Sequence, residues 1–364
     1  MPTTSATEEL LRGLAASAFD VTLEDAPALL AEMAGDIDPN DAAARIESIR
    51  AGREASAVRG PAPPERLAAL REKMAGASLD GFLVPLADEH QGEFIPPRAQ
   101  RLAWLTGFGG SAGLAIVLAD RAAIFVDGRY TLQVRHQVDT AVFTPHHLIE
   151  APPDRWLAEN AGKGMRVGFD PWLHTKAGID RLRRRCERAG AELVPVDANP
   201  LDAAWADQPP PPLGPVVPHE DDVAGRSSAD KRAEAAATVA EDGADAAVLS
   251  APDSIAWLLN VRGCDVGNTP LPLSYAILHA GGAVEWFLDP RKLPAATREH
   301  VGADVSAMEP GAFGDRLDAL GAAKKSVRLD TASCPEWIRL RLEAAGANVG
   351  SGGDPCTLPK ARKN

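Results

Sequence analysis

One series of apolar positions occurs twice along this chain of 364 residues. In the first copy, Leu67, Leu70 and Met74 stand on one face of a predicted helix. A short apolar run of strand length follows at Phe82-Leu83-Val84. Leu102-Ala103-Trp104-Leu105 comes next, and then a strand–turn–strand unit. That unit runs from Gly113 to Leu118, turns at Asp120-Arg121, and returns as Ile124-Phe125-Val126-Asp127. The copy closes with Val167-Gly168-Phe169-Asp170 ahead of a helix whose stripe is Ile179, Leu182 and Cys186. The second copy has a helix around Ala233–Ala240, the strand Ala247-Val248-Leu249, and Ile255-Ala256-Trp257-Leu258. Its hairpin runs from Tyr275 to Leu278, turns at Gly281-Gly282, and returns as Val284 to Asp289. Val327-Arg328-Leu329-Asp330 then precedes a helix striped by Ile338, Leu342 and Ala345. Trp104 and Trp257 are 153 residues apart, and Asp127 and Asp289 are 162 apart. A repeat of that length is a duplicated domain. The expected fold class is α/β, with each copy a mixed sheet packed with helices.

The punctuation between the copies sets the predicted domains. Residues 1–61 form a helical or loosely ordered extension, with helical spacing at Leu10, Leu11 and Leu14 and again at Leu29, Leu30 and Met33. Gly and Pro cluster at 59–64. The first copy occupies 62–207 and the second 216–357. Between them, residues 208–215 contain Pro209-Pro210-Pro211-Pro212, which lack amide donors and have fixed φ, so a stiff linker is expected. Residues 358–364 read as a connector into a further domain.

Charge and cysteine content narrow the class. A net charge of −13 disfavours nucleic acid and anionic membrane surfaces as partners. The short run Arg183-Arg184-Arg185 reads as a solvated helix face. Cys186, Cys264, Cys334 and Cys356 form no CxxC pair and read as scattered reduced thiols. The first residues lack a signal-peptide pattern, and no apolar run reaches the roughly 18 residues of a membrane span. A cytoplasmic location is the expectation.

The copies differ most between the first strand and the tryptophan, where the first copy inserts Asp88-Glu89-His90-Gln91-Gly92-Glu93-Phe94. Insertions on a shared scaffold often carry function. Asp127-Gly128-Arg129-Tyr130 follows a strand. Asp127 suits a cap and Gly128 a turn, while Arg129 offers planar donors for carboxylate or carbonyl oxygens, or is a plain surface arginine. Phe108-Gly109-Gly110-Ser111-Ala112-Gly113 lacks the lysine of a phosphate loop and enters a strand, so it reads as a tight turn with close backbone packing. His90 with its acidic neighbours forms no evident metal set, and His146 and His147 would face opposite sides of a strand. No catalytic constellation and no metal site is complete in these residues.

The motifs in this order resemble Xaa-Pro aminopeptidase P of the long cytosolic type. They are Asp88 to Phe94, Leu105 to Gly113, Asp127 to Tyr130, Ile255 to Val266, Ser274-Tyr275-Ala276-Ile277 and Pro359 to Asn364. The resemblance covers roughly 62–364. It implies tandem creatinase-type N-terminal domains followed by a pita-bread domain with two divalent metals, commonly manganese. The metal ligands of that domain would lie beyond Asn364, so none is expected here. The implied reaction is hydrolysis of the bond between an N-terminal residue and a following proline. These two domains would shape the substrate cleft, with proline-containing peptides as partners and a possible homodimer. Arg129 matches the arginine that reaches toward the peptide beyond the proline, and His90 is a second substrate-binding candidate. Gly92, Phe94 and the segment Asn268 to Leu273 depart from the family pattern.

Two further readings stand beside this one. The chain could be a stand-alone, non-catalytic creatinase-like protein that binds peptides or partners. An amidinohydrolase or dipeptidase relative is the other.

Overall fold

The computed structural model describes residues 4–17, 33 and 38–362. Leu29, Leu30, Lys363 and Asn364 lie outside the described residues. The chain divides into two compact units, one formed by 57–208 and the other by 1–56 with 209–364.

The 57–208 unit is built on a six-stranded sheet. Its strands are β1 (Gly81–Pro85), β2 (Gly113–Leu118), β3 (Ala122–Val126), β4 (Thr144–His147), β5 (Arg166–Phe169) and β6 (Glu192–Pro195). The spatial order is β4-β3-β2-β1-β5-β6. The pairs β1–β2 and β2–β3 are antiparallel, whereas β3–β4, β1–β5 and β5–β6 are parallel. The central strands are apolar throughout because both faces are covered. Phe82 and Val84 pack on one side with Leu67, Leu70 and Met74 of the helix Pro63–Gly76. Leu83 packs on the other side with Ile179, Leu182 and Cys186 of the helix Lys176–Arg188. The predicted stripes are therefore the two core faces.

The other unit repeats this sheet. Its strands are β7 (Val217–Pro218), β8 (Ala246–Leu249), β9 (Val261–Arg262), β10 (Tyr275–His279), β11 (Val284–Phe287), β12 (Val305–Met308), β13 (Ser326–Leu329) and β14 (Asn348–Ser351). The order β12-β11-β10-β8-β13-β14 matches the first sheet strand for strand and direction for direction. A two-stranded pair, β7–β9, is added. Trp286 is fully buried on one face with Ile255, Leu258 and Val239. The opposite face carries a stack of rings, with Tyr275 on Phe313 at 4.7 Å and Phe287 against Phe313 at 5.0 Å. This is the duplicated α/β architecture with mixed sheets.

The described N-terminal residues belong to this second unit. Leu10, Leu11 and Leu14 of the helix Thr4–Ala16 form a cluster with Ile46 and Leu213. The stretch after the prolines is thus not a bare spacer. Leu213 is buried, and its amide donates to Gly13 O and to Ser17 Oγ, both at 3.0 Å. At the other end, the short helix Thr357–Ala361 is held to the helix Pro252–Leu259, where Lys360 pairs with Asp253 and donates to Ser254 Oγ at 2.9 Å. A buried pair, Lys292 with Asp265, ties the 265–273 loop below β11, and Lys292 Nζ also donates to Leu273 O at 3.1 Å. All four cysteines are free thiols. No helix among the described residues is long and apolar enough to cross a membrane.

Candidate functional site

Strand register brings the sequence-flagged segments to one end of the first sheet. Pro85 at the exit of β1 pairs with Leu114 at the entry of β2, and Gly113 pairs with Val126 at the exit of β3. Val126 in turn pairs with His147, the last residue of β4. The loop 88–94, the glycine segment 107–113, the corner 127–130 and His147 therefore share that end.

The corner is organised by Asp127. It lies just past β3 and caps a single 3₁₀ turn, Gly128–Tyr130, by accepting the Arg129 amide at 2.9 Å. Its carboxylate also takes the arginine side chain, with Nε at 3.2 and 3.1 Å and Nη2 at 2.7 Å. These side-chain bonds from Arg129 hold the Asp127 carboxyl below the usual carboxylate range. The guanidinium also lies over the Tyr130 ring, 5.1 Å from its centroid. Tyr130 is fixed in its turn. Its hydroxyl and Ser111 Oγ are 2.7 Å apart, and the Phe108 ring meets it edge-on at 5.6 Å. Arg129 remains 65% exposed while its direction is set on two sides. Asp127 therefore caps the turn and also fixes the direction of the Arg129 guanidinium.

The histidines of β4 do face opposite ways. His146 stacks on Phe125 at 5.3 Å, and burial lowers its pKa. His147 turns toward the corner, where its Nδ1 accepts the amides of Ile149 and Glu150 at 3.2 and 3.3 Å. In the neutral ring that leaves the proton on Nε2. A Cβ at position 128 would lie 3.4 Å from Nε2, so glycine there leaves the histidine room. Glu93 lies near enough for its charge to act on Arg129, and a protonated His147 would act on Asp127. Neither residue was singled out at this site by the sequence. Glu93 stood in the flagged insertion, but only the pairing of β3 with β4 reveals His147.

The insertion is braced from below. Asp88 is buried, and its Oδ1 accepts the amides of His90 at 3.0 Å and Gly92 at 2.9 Å. Glu89 reaches buried Arg101, which also grips both oxygens of Asp202 at 2.8 and 2.9 Å. Burial pushes the Glu89 carboxyl up, but Arg101 outweighs it and holds the group below its ordinary range. His90 is half-buried on this braced loop. The glycine segment is a close-packed turn, as expected. Gly107 has φ +81 at the end of the helix Arg101–Thr106, and a Cβ on Gly110 would strike the Phe108 ring at 2.3 Å.

Among the described residues, no group of three or more His, Cys, Asp or Glu could hold a metal ion. The described residues thus assemble no dinuclear centre. What this end of the sheet offers is a fixed, exposed arginine beside an aromatic ring and a histidine, suited to holding a polar ligand.

The paired mixed sheets define the chain as a tandem of creatinase-type N-terminal domains. Residues 66–203 and residues 207–364 each match the creatinase/prolidase N-terminal domain, and the chain belongs to that family. Curated relatives that it matches are described as probable Xaa-Pro aminopeptidase P. It is 36% identical over 313 residues to "Probable Xaa-Pro aminopeptidase P" of Aspergillus niger, covering 82% of this chain and 50% of the relative. A protein of the same description from Paracoccidioides brasiliensis is 34% identical over 314 residues, covering 82% of this chain and 51% of the relative. The chain thus spans about half the length of these relatives. Among solved structures, X-prolyl aminopeptidase from Caenorhabditis elegans superposes with a TM-score of 0.76 at 26% identity. That match covers 84% of this chain and 52% of the other, which is described as a cytosolic enzyme with a di-nuclear active site.

Proposed function

We propose that this chain is the substrate-orienting part of a cytoplasmic, metal-dependent Xaa-Pro aminopeptidase, which hydrolyses the bond between an N-terminal residue and a following proline. The observation that carries the reading is the 36% identity to an aminopeptidase P along 313 residues. In this reading the two domains shape the cleft and contribute to a homodimer. Two divalent ions, taken as manganese, are held by polypeptide outside these residues.

Arg129 donates to the peptide beyond the scissile proline. Its support is the clamp described above, since a donor held by Asp127 and Tyr130 has lost its rotamer freedom before a ligand arrives. His90, on the braced insertion, is assigned to the same peptide.

The test is hydrolysis of Ala-Pro-Ala by the product of the complete reading frame supplied with Mn²⁺, with and without Arg129→Ala. Release of alanine, with kcat/KM reduced about tenfold or more in the variant, is the expected result. No cleavage before proline with any divalent metal would overturn the reading and favour a non-catalytic peptide-binding protein.

A further inference from the structure

The arginine corner of the first unit occurs again in the second. Asp127 directly follows β3 and Asp289 follows β11 after one residue, Leu288, and each aspartate has an arginine two residues on, Arg129 and Arg291. The two clamps agree bond for bond. The arginine amide reaches Oδ1 at 2.9 Å in both. Nε reaches the carboxylate oxygens at 3.2 and 3.1 Å in the first and at 3.0 and 3.2 Å in the second. Nη2 reaches Oδ2 at 2.7 Å in both. Each aspartate thus occupies one edge of its guanidinium and leaves Nη1 out of the clamp.

What Nη1 does differs. At Arg291 it donates to Glu9 Oε1 at 3.2 Å, so the chain supplies its own carboxylate there. At Arg129 no hydrogen bond from Nη1 is made among the described residues, and both side-chain partners of that arginine are Asp127 oxygens. The residue after each arginine also differs. Lys292 turns inward to Asp265, whereas Tyr130 lies under the guanidinium as a flat support. The second corner is filled and structural, and the first is open and braced.

We infer that the Asp127–Arg129 corner is a carboxylate subsite, which takes on its open edge what Arg291 takes from Glu9. The inference rests on the aminopeptidase reading and names its substrate class: peptides with a carboxylate just beyond the proline. That group is either the terminal carboxylate of a short peptide or an acidic side chain. The end-on edge of a guanidinium presents two parallel N–H groups, which match two carboxylate oxygens, whereas an amide offers a single acceptor. Asp127 already balances the arginine charge, and the site is exposed. The expected preference is therefore modest, about five- to tenfold.

The complete enzyme is assayed on Ala-Pro-Ala with a free carboxylate, on its C-terminal amide, and on Ala-Pro-Asp amide. The acid is expected to exceed the Ala-Pro-Ala amide about five- to tenfold in kcat/KM. Recovery of that advantage by Ala-Pro-Asp amide would assign the subsite to side-chain carboxylates as well. Arg129→Gln should bring all three substrates to one value, while Arg291→Gln leaves the ratios as they are. Equal rates for acid and amide in the wild type would overturn the subsite while leaving the aminopeptidase reading intact. A second measurement needs no turnover. The ¹⁵N-arginine side-chain spectrum of the 364-residue chain is recorded with acetyl-Ala-Pro-Ala acid or amide, with Arg129 identified from the Arg129→Gln spectrum. A shift of the Arg129 resonance with acid alone supports the subsite even if no peptide is cleaved, and no difference between the two overturns it.

Discussion

His174 should make the 57–208 unit sensitive to mild acid. The residue follows β5, is buried with its ring edge-on to Phe169 at 5.8 Å, and has no hydrogen-bond partner at Nε2 among the described residues. Burial pushes its pKa down to about 3 from the ordinary 6.5. The sign follows directly. The folded chain keeps the ring neutral where the unfolded chain protonates it, so unfolding takes up a proton below pH 6.5. The stability is complete above 6.5 and is lost progressively as pH falls toward 3. Each unit of pH in that window costs about 1.4 kcal/mol, which is roughly 2.7 kcal/mol by pH 4.5. His174→Leu fills similar space, cannot titrate, and removes the unpartnered nitrogen. Urea unfolding of both proteins at pH 7.0, 5.5 and 4.5 should give a stability difference that grows in favour of the variant by about that amount. Parallel pH dependences would refute the argument, because the histidine would then titrate alike in the two states.

Further outcomes follow from other contacts. Arg101→Ala leaves Glu89 and Asp202 without their shared cation beneath the insertion and should cost about 3–5 kcal/mol, read as a lowered melting temperature that Arg101→Lys partly restores. Gly13→Val places its Cβ within 2.4–2.9 Å of the Leu213 side chain and should destabilise by about 1–3 kcal/mol, with faster proteolysis at Pro209–Gly214. Gly76→Ala, which meets nothing within 4 Å, is the neutral or mildly stabilising counterpart.

The central strands and their helices were legible because they obey local rules. The run Phe82-Leu83-Val84 and the stripe Ile179, Leu182, Cys186 are apolar wherever the core demands it. The edge strands were not. β4 reads Thr144-Pro145-His146-His147, with a proline that only an edge tolerates, and β14 is Asn348-Val349-Gly350-Ser351. A strand with one neighbour needs little apolar signature. Arg101 hides for a related reason. It opens an apolar helix, and its partner Asp202 lies far along the chain. The corner at Asp127 could be read as a cap, but the approach of His147 depends on β3–β4 pairing, which no local spacing encodes. The docking of Leu213 on Gly13 was equally silent, since proline-rich sequence states only that it is extended.

The matched topology of the two sheets has a consequence for how the chain reaches its native state. In each, the hairpins β2–β3 and β10–β11 close over a few residues, but the central strand must wait for a distant partner. Phe82 joins Gly168, and Val248 joins Leu329. Such late pairings are slow because a long loop has to close before they gain anything. While they are pending, β1 and β8 each present an open parallel edge of the same direction, and either distant strand matches it in topology. Misassembly between the copies is thus the characteristic hazard of this duplication. The side chains at those edges differ: Phe82 pairs with Gly168 in one sheet, and small Ala246 and Ala247 pair with Val327 and Arg328 in the other. A strand exchanged between the copies would therefore meet side chains of the wrong size along its new edge.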